Sequence, residues 1–159
     1  LFTDFMQASE IPLGTMFLKN FGMTDDHWLK PGHLNYKAER IRELLRSYPR
    51  QGFILVGDSG QHDPEIYAHI VREHPGRILA VYLRDVASNR RDATEQIARD
   101  IRQHDAACLV VQDSLAAAEH AQSHGWVTPK DVEEVRRRVQ RPVEDERERH
   151  VVGMPVEFA

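Results

Sequence analysis

A single cysteine, Cys108, stands among 159 residues. It lies inside the apolar run Ala107-Cys108-Leu109-Val110-Val111 and reads as a small buried hydrophobe rather than a reactive thiol. One cysteine excludes an internal disulfide framework and suits a reducing compartment, so the cytoplasm is expected. No apolar run approaches the ~18–20 residues of a membrane span. Positive charge is not in excess: 21 Lys and Arg face 25 Asp and Glu, a net charge of -4. No global basic field exists to draw nucleic acid, and no such partner is expected. There is no internal repeat, no Gly-rich phosphate-cradling loop and no nucleophile elbow. Nine histidines occur, yet no His-Glu-x-x-His and no cysteine pair supports His120 and His124. They are read as surface residues of one helix face rather than zinc ligands. The chain opens on Leu1, not Met, in what reads as a helix, so a fragment is expected.

What is present is organised around Phe53-Ile54-Leu55-Val56-Gly57-Asp58-Ser59-Gly60-Gln61-His62-Asp63-Pro64-Glu65. A continuous apolar run bounded by turn residues reads as a strand buried on both faces. Asp63 suits an N-cap and Pro64 the first helical position. The unit is strand, acidic loop, helix. It sets Asp58 and Asp63 at the carboxyl end of a parallel strand, where open α/β sheets place their ligands.

Upstream, residues 1–9 read as a helix and Thr15–Leu18 as a short strand. Residues 20–36, with Gly22, Pro31 and Gly32, read as a long loop. A helix is expected from Lys37, with Ile41, Leu44, Leu45 and Tyr48 on one face, stopped by Pro49. Downstream, Ile66, Tyr67, Ile70 and Val71 form a stripe ended by Pro75-Gly76. Ile78–Leu83 is a second buried strand leading into Arg84-Asp85. Residues 92–104 are helical with Ile97 and Ile101 inward. Ala107–Val111 is a third strand, and residues 115–124 form an Ala-rich helix. Strands alternating with helices of this length specify right-handed crossovers and a parallel sheet. The expected fold is α/β, three-layered, with a doubly wound, mostly parallel sheet. Residues 129–149 put Val132, Val135 and Val139 on one helical face. Pro142 interrupts it, and a mixed-charge solvated tail follows.

The spacing of Asp58 and Asp63 suits Mg²⁺, which takes one or two protein carboxylates and completes its shell with water and phosphate. It equally suits a turn residue and a helix cap. Lys37 at a helix start is electrostatically poor unless something anionic sits opposite; otherwise it is a solvated lysine. His62 reads as a loop residue, and Arg84 and Asp85 as either a lining of the same mouth or a surface ion pair.

The stretch from Phe53 to Glu65, with Tyr67, closely resembles the catalytic domain of the actin-patch-associated phosphatidate phosphatases. So does Arg77-Ile78-Leu79-Ala80-Val81-Tyr82-Leu83-Arg84-Asp85-Val86. That family belongs to the haloacid dehalogenase superfamily. Ile11-Pro12-Leu13-Gly14, the Lys37-to-Pro49 helix, Asp113, the segment Ala116–Ala121 and Gly125-Trp126 extend the likeness over residues 1–127. The resemblance implies a haloacid-dehalogenase-like sheet and a Mg²⁺-dependent phosphatidate phosphatase working through an aspartyl-phosphate. Asp58 and Asp63 would be the metal carboxylates, and Lys37 would bind the phosphoryl group. It also implies a phosphatidate or other phosphomonoester substrate, and a cytoplasmic protein in peripheral contact with membranes. The family's Asp-x-Asp-x-Thr nucleophile motif and its Ser/Thr motif do not occur here. The sheet is therefore expected to be incomplete on its N-terminal side. Residues 1–127 are expected to be the C-terminal part of the catalytic domain, and 128–159 a charged helical tail. An inactive phosphatase-like binding module and a phosphatase of soluble phosphomonoesters are the alternatives.

Overall fold

The computed structural model describes residues 32–140. The helix expected over residues 1–9, the strand at 15–18 and the tail from residue 141 lie outside them. The chain divides into two compact units, residues 1–47 and 48–159.

In the first unit the described element is helix α1, Gly32–Ser47. The helix begins five residues ahead of the expected start at Lys37. Gly32 therefore opens a helix instead of closing a loop. In sequence, the apolar spacing of Ala38, Ile41 and Leu45 runs back to Leu34. Ala38 and Leu45 are buried, but Tyr48, expected inward, is 51% exposed. It stands past the helix end, where the turn into Pro49 breaks the 3.6-residue period.

The second unit alternates strand and helix. Its elements are β1 (Phe53–Asp58), α2 (Asp63–Glu73), β2 (Ile78–Arg84) and a 3₁₀ turn (Ser88–Arg90). They continue with α3 (Arg91–Arg102), β3 (Ala107–Val111), α4 (Ser114–Ser123) and α5 (Pro129–Val139). The three strands form one parallel sheet in the order β1-β2-β3. The fold class is α/β with a parallel sheet, as the alternation of apolar runs and helical stripes requires.

The register fixes the layers. Leu55 pairs with Val81 and Gly57 with Leu83, and Val81 pairs with Cys108. Paired residues share a face, and neighbours along a strand alternate. Asp63, at the start of α2, lies against Gly57, so α2 covers the Leu55–Leu83 face. Tyr82 points the other way, and its hydroxyl lies 2.8 Å from His120 Nδ1 of α4. Helices thus flank both faces. The core is Leu55, Ile70, Val71, Ile78, Val81, Leu83, Ile101 and Cys108.

Several expectations need correction. β1 is not buried on both faces: Ile54 is 37% and Val56 69% exposed, while Leu55 is buried. β1 is one of the two outer strands of the three, and α2 takes its Leu55 side. Ile101 faces inward as expected, but Ile97 is half-buried, and Thr94 and Ala98 complete the buried face. α5 ends at Val139, which is exposed, and only Val132 is buried on it. Its start is firm: Thr128 accepts from the Asp131 amide while the Asp131 carboxylate takes the Thr128 amide, a reciprocal capping box. Cys108 is buried, and burial pushes its thiol up to about 12.

Candidate active site

The carboxyl ends of β1 and β2 carry the polar residues of interest. Ladder bonding runs past both strand ends. The Ser59 amide donates to the Arg84 carbonyl at 2.9 Å, and the Asp85 amide to the Val111 carbonyl at 2.7 Å. The loop after β1 is therefore tied to β2, and the loop after β2 to β3.

Asp58 closes β1. Its Oδ1 accepts from the Gly60 amide at 2.7 Å, a local turn that fixes the carboxylate by the chain just after it. Asp63 does not act as the N-cap. The cap position falls on His62, whose side chain makes no capping bond, and Asp63 opens the helix itself. The reason lies at Gly57. A Cβ there would stand 2.3 Å from Asp63 Oδ2 and 2.9 Å from its Cβ and Cγ. Asp63 occupies the space that a side chain at residue 57 would need. It is buried and packs against the β1 tip.

Tyr67 stands one turn into α2 and is buried. Its hydroxyl donates to the Val56 carbonyl at 2.8 Å. Burial, then the nearby Asp63 carboxylate, then that of Asp58, hold the phenol protonated well above the usual tyrosine range. In sequence Tyr67 was legible as part of an apolar stripe and of the family resemblance, not as a hydrogen-bond donor to β1. Its hydrogen bond to the Val56 carbonyl depends on how α2 packs on β1.

The stretch following β2 holds this loop from outside. Ser59 is fully buried. Its Oγ accepts from the Val86 amide at 3.0 Å and the Ala87 amide at 3.1 Å, and donates to Asp85 Oδ1 over 3.4 Å. Asp85 pairs with Arg91, not with Arg84: Arg91 Nε lies 2.6 Å from Oδ2, and Gln112 donates to the same oxygen at 3.0 Å. The Asp85 side chain is only 3% exposed. The Arg91 bond, more than any other contact, holds its carboxyl below the usual carboxylate range. Arg90 donates to the Gln61 carbonyl and pairs with Glu65. Sequence reasoning missed Ser59 and Arg90 because their partners lie 25 or more residues away, and Arg91 because its partner Asp85 is weighed in sequence against Arg84 instead. Arg84 and His62 are exposed.

Of the residues singled out in sequence, Asp58 and Asp63 come to one strand tip. Lys37 is exposed on α1, in the other compact unit. Among the described residues no group of three or more His, Cys, Asp or Glu could hold a metal ion. Mg²⁺ does not need three. One or two carboxylates suffice, with water and phosphate oxygens completing the shell, so the hard oxygens of Asp58 and Asp63 fit it. Among the described residues His120 and His124 join no third metal-ligating group: His120 meets Tyr82, and His124 stacks on Trp126 with centroids 4.7 Å apart. Among the described residues no helix is long and apolar enough to cross a membrane.

A family model described as "Phosphatidate phosphatase APP1, catalytic domain" matches residues 1–85. The match ends at Asp85 and does not include the likeness read from the sequence beyond it. Phosphatidate phosphatase APP1 of Saccharomyces cerevisiae is 34% identical over 85 residues, 54% of this chain and 14% of the yeast protein. An uncharacterized protein of Schizosaccharomyces pombe is 29% identical over 77 residues, 48% of this chain and 13% of that protein. The chain thus spans only a small part of the length of the curated relatives it matches. No solved structure matches it. Matched by that model over more than half of its length, with the β1 tip and its two aspartates inside the matched stretch, the chain belongs to the APP1 phosphatidate phosphatase catalytic-domain family.

Proposed function

We propose that the full-length protein is a Mg²⁺-dependent phosphatidate phosphatase, hydrolysing a phosphomonoester to diacylglycerol and inorganic phosphate. The supporting observation is the β1 tip: Asp58 closes the strand and Asp63 packs against Gly57 beside it, both inside the family-matched stretch. These two carboxylates would hold the ion. Bound there, Mg²⁺ would offset negative charge on the transferring phosphoryl group. Asp58 is held for that task by the Gly60 amide. Asp63 is held by its burial over Gly57. The role of Lys37, binding the phosphoryl group and neutralising its charge, rests on the family resemblance alone. That resemblance also supplies the superfamily assignment, the cytoplasmic location with peripheral membrane contact, and the nucleophile. The nucleophile would be the first aspartate of an Asp-x-Asp-x-Thr motif, which this sequence does not contain. In such chemistry the enzyme carboxylate takes the phosphoryl group and water then releases it. This chain supplies the metal-holding half of that machinery.

The test is phosphate release from phosphatidate vesicles by the full-length protein, with and without Mg²⁺, beside Asp58→Ala. Release that requires Mg²⁺ and falls at least about a hundredfold in the variant is expected. An unchanged rate in Asp58→Ala would refute the assignment. A soluble phosphomonoester run in parallel separates lipid from soluble substrates.

A further inference from the structure

We infer that Ser59 and Arg90 are positioning residues that set the geometry of the acidic loop, so that the segment from Asp85 to Arg91 serves as its cradle. The inference rests on the proposed function only for what the loop holds.

The loop is gripped at both ends. Ser59 directly follows Asp58 and is fully buried. Its one hydroxyl takes two backbone N–H groups, from Val86 and Ala87, and faces Asp85. With both lone pairs engaged and the proton directed to a carboxylate, the hydroxyl has no spare capacity. The backbone at residue 59 cannot turn without orphaning two amides. Asp58 and Gly60 flank that residue, and the Gly60 amide is the group that holds the Asp58 carboxylate. At the other end, Arg90 binds the Gln61 carbonyl and Glu65. Those residues bracket Asp63. The planar guanidinium fork thereby fixes the distance between the loop and the first turn of α2. Asp85 is in turn locked by Arg91 and Gln112, joining the cradle to α3 and the end of β3. The segment from Val86 to Arg91 lies beyond the family-matched residues. The part of the chain that holds the metal carboxylates is thus organised by a part outside that match.

Neither Ser59 nor Arg90 is assigned a contact with metal or substrate. Each would act by orienting Asp58 and Asp63, as residues behind a metal's ligands do. Loss of such a residue should change metal affinity and leave substrate affinity at saturating metal alone.

The experiment uses the full-length protein as wild type, Ser59→Ala, Arg90→Ala and Arg90→Lys. Mg²⁺ binding is read by titration calorimetry, and amide hydrogen exchange is read at Gly60, Val86 and Ala87. In Ser59→Ala and Arg90→Ala, Mg²⁺ affinity should fall about tenfold, the order seen when a residue behind a metal ligand is removed. Exchange at Val86 and Ala87 should rise in Ser59→Ala. The half-activating Mg²⁺ concentration should rise in both while KM for phosphatidate at saturating Mg²⁺ stays put. Arg90→Lys, which keeps the charge and loses the fork, should recover only part of the affinity. Wild-type Mg²⁺ affinity in either folded alanine variant overturns the inference. Should Ser59→Ala fail to fold, Arg90→Ala decides. No Mg²⁺ binding by the wild type overturns the proposed function instead, and unchanged amide exchange in Ser59→Ala then overturns the cradle on its own.

Discussion

Replacing Gly57 by alanine tests the packing that puts Asp63 at the β1 tip. The added methyl would stand 2.3 Å from Asp63 Oδ2 and 2.9 Å from Asp63 Cβ and Cγ. The carboxylate could rotate away. The Cβ cannot, because it is fixed to the backbone of α2. To restore ordinary contact at 3.4 Å the helix start must retreat by about 0.5 Å. Overpacking of this kind costs about 1–3 kcal/mol. The lower entropy of an unfolded alanine returns about 0.4–1 kcal/mol. A net loss of about 1–2 kcal/mol is expected, seen as a lower urea midpoint by circular dichroism. Gly52→Ala is the matched control. The three atoms nearest its methyl all belong to the Leu79 side chain, at 2.7–2.9 Å, and Leu79 is 38% exposed and free to swing outward. That variant should stay within about 0.5 kcal/mol of wild type. Equal midpoints for the two variants would refute the reasoning.

Tyr67→Phe removes the hydroxyl bonded to the Val56 carbonyl and should lower stability by about 0.5–1.5 kcal/mol in urea unfolding. In the wild type, ultraviolet titration should show Tyr67 still un-ionised at the ordinary tyrosine value of 10.0. Arg91→Ala frees Asp85 from the bond that most lowers its pKa. A carboxylate held below 3.8 adds stability above that pH and loses it as pH falls through the folded-state value. The variant should therefore be less stable than wild type at neutral pH, and the two unfolding curves should converge in strong acid. Thr128→Ala dismantles the α5 capping box and should cost about 1 kcal/mol, with faster amide exchange at Asp131 and Val132.

The strands were legible because each is an uninterrupted apolar run closed by polar or turn residues. Leu55, Val81 and Cys108 could be placed in the core on that basis. Period-2 alternation was hidden in β1, where Ile54 and Val56 are as apolar as Leu55. Exposure there depends on which strand lies outermost, and local sequence does not carry that. The start of α1 was misread because Gly32, a loop signal in sequence, is the first residue of the helix. Asp63 looked like a cap because Asp before Pro usually is one. Only the missing side chain at Gly57, across the loop, shows where its carboxylate goes. Asp58 and Asp63 were readable as a pair from spacing. Ser59, Arg90 and the Asp85–Arg91 pair were not, since a serine after Gly-Asp or an arginine before a helix is ordinary until the strands are aligned.

The central claim is that Asp58 and Asp63 together hold a divalent ion at the end of β1. Mn²⁺ shares the oxygen-ligand preference of Mg²⁺ and broadens nuclear resonances near it. Added in trace amounts to the isotope-labelled protein, it should erase the amide signals of Asp58, Gly60 and Asp63 and spare those of Ala117 and Ala121 on α4. Excess Mg²⁺ should restore them. Signals at the β1 tip that persist while Mn²⁺ broadens another part of the protein would contradict the claim.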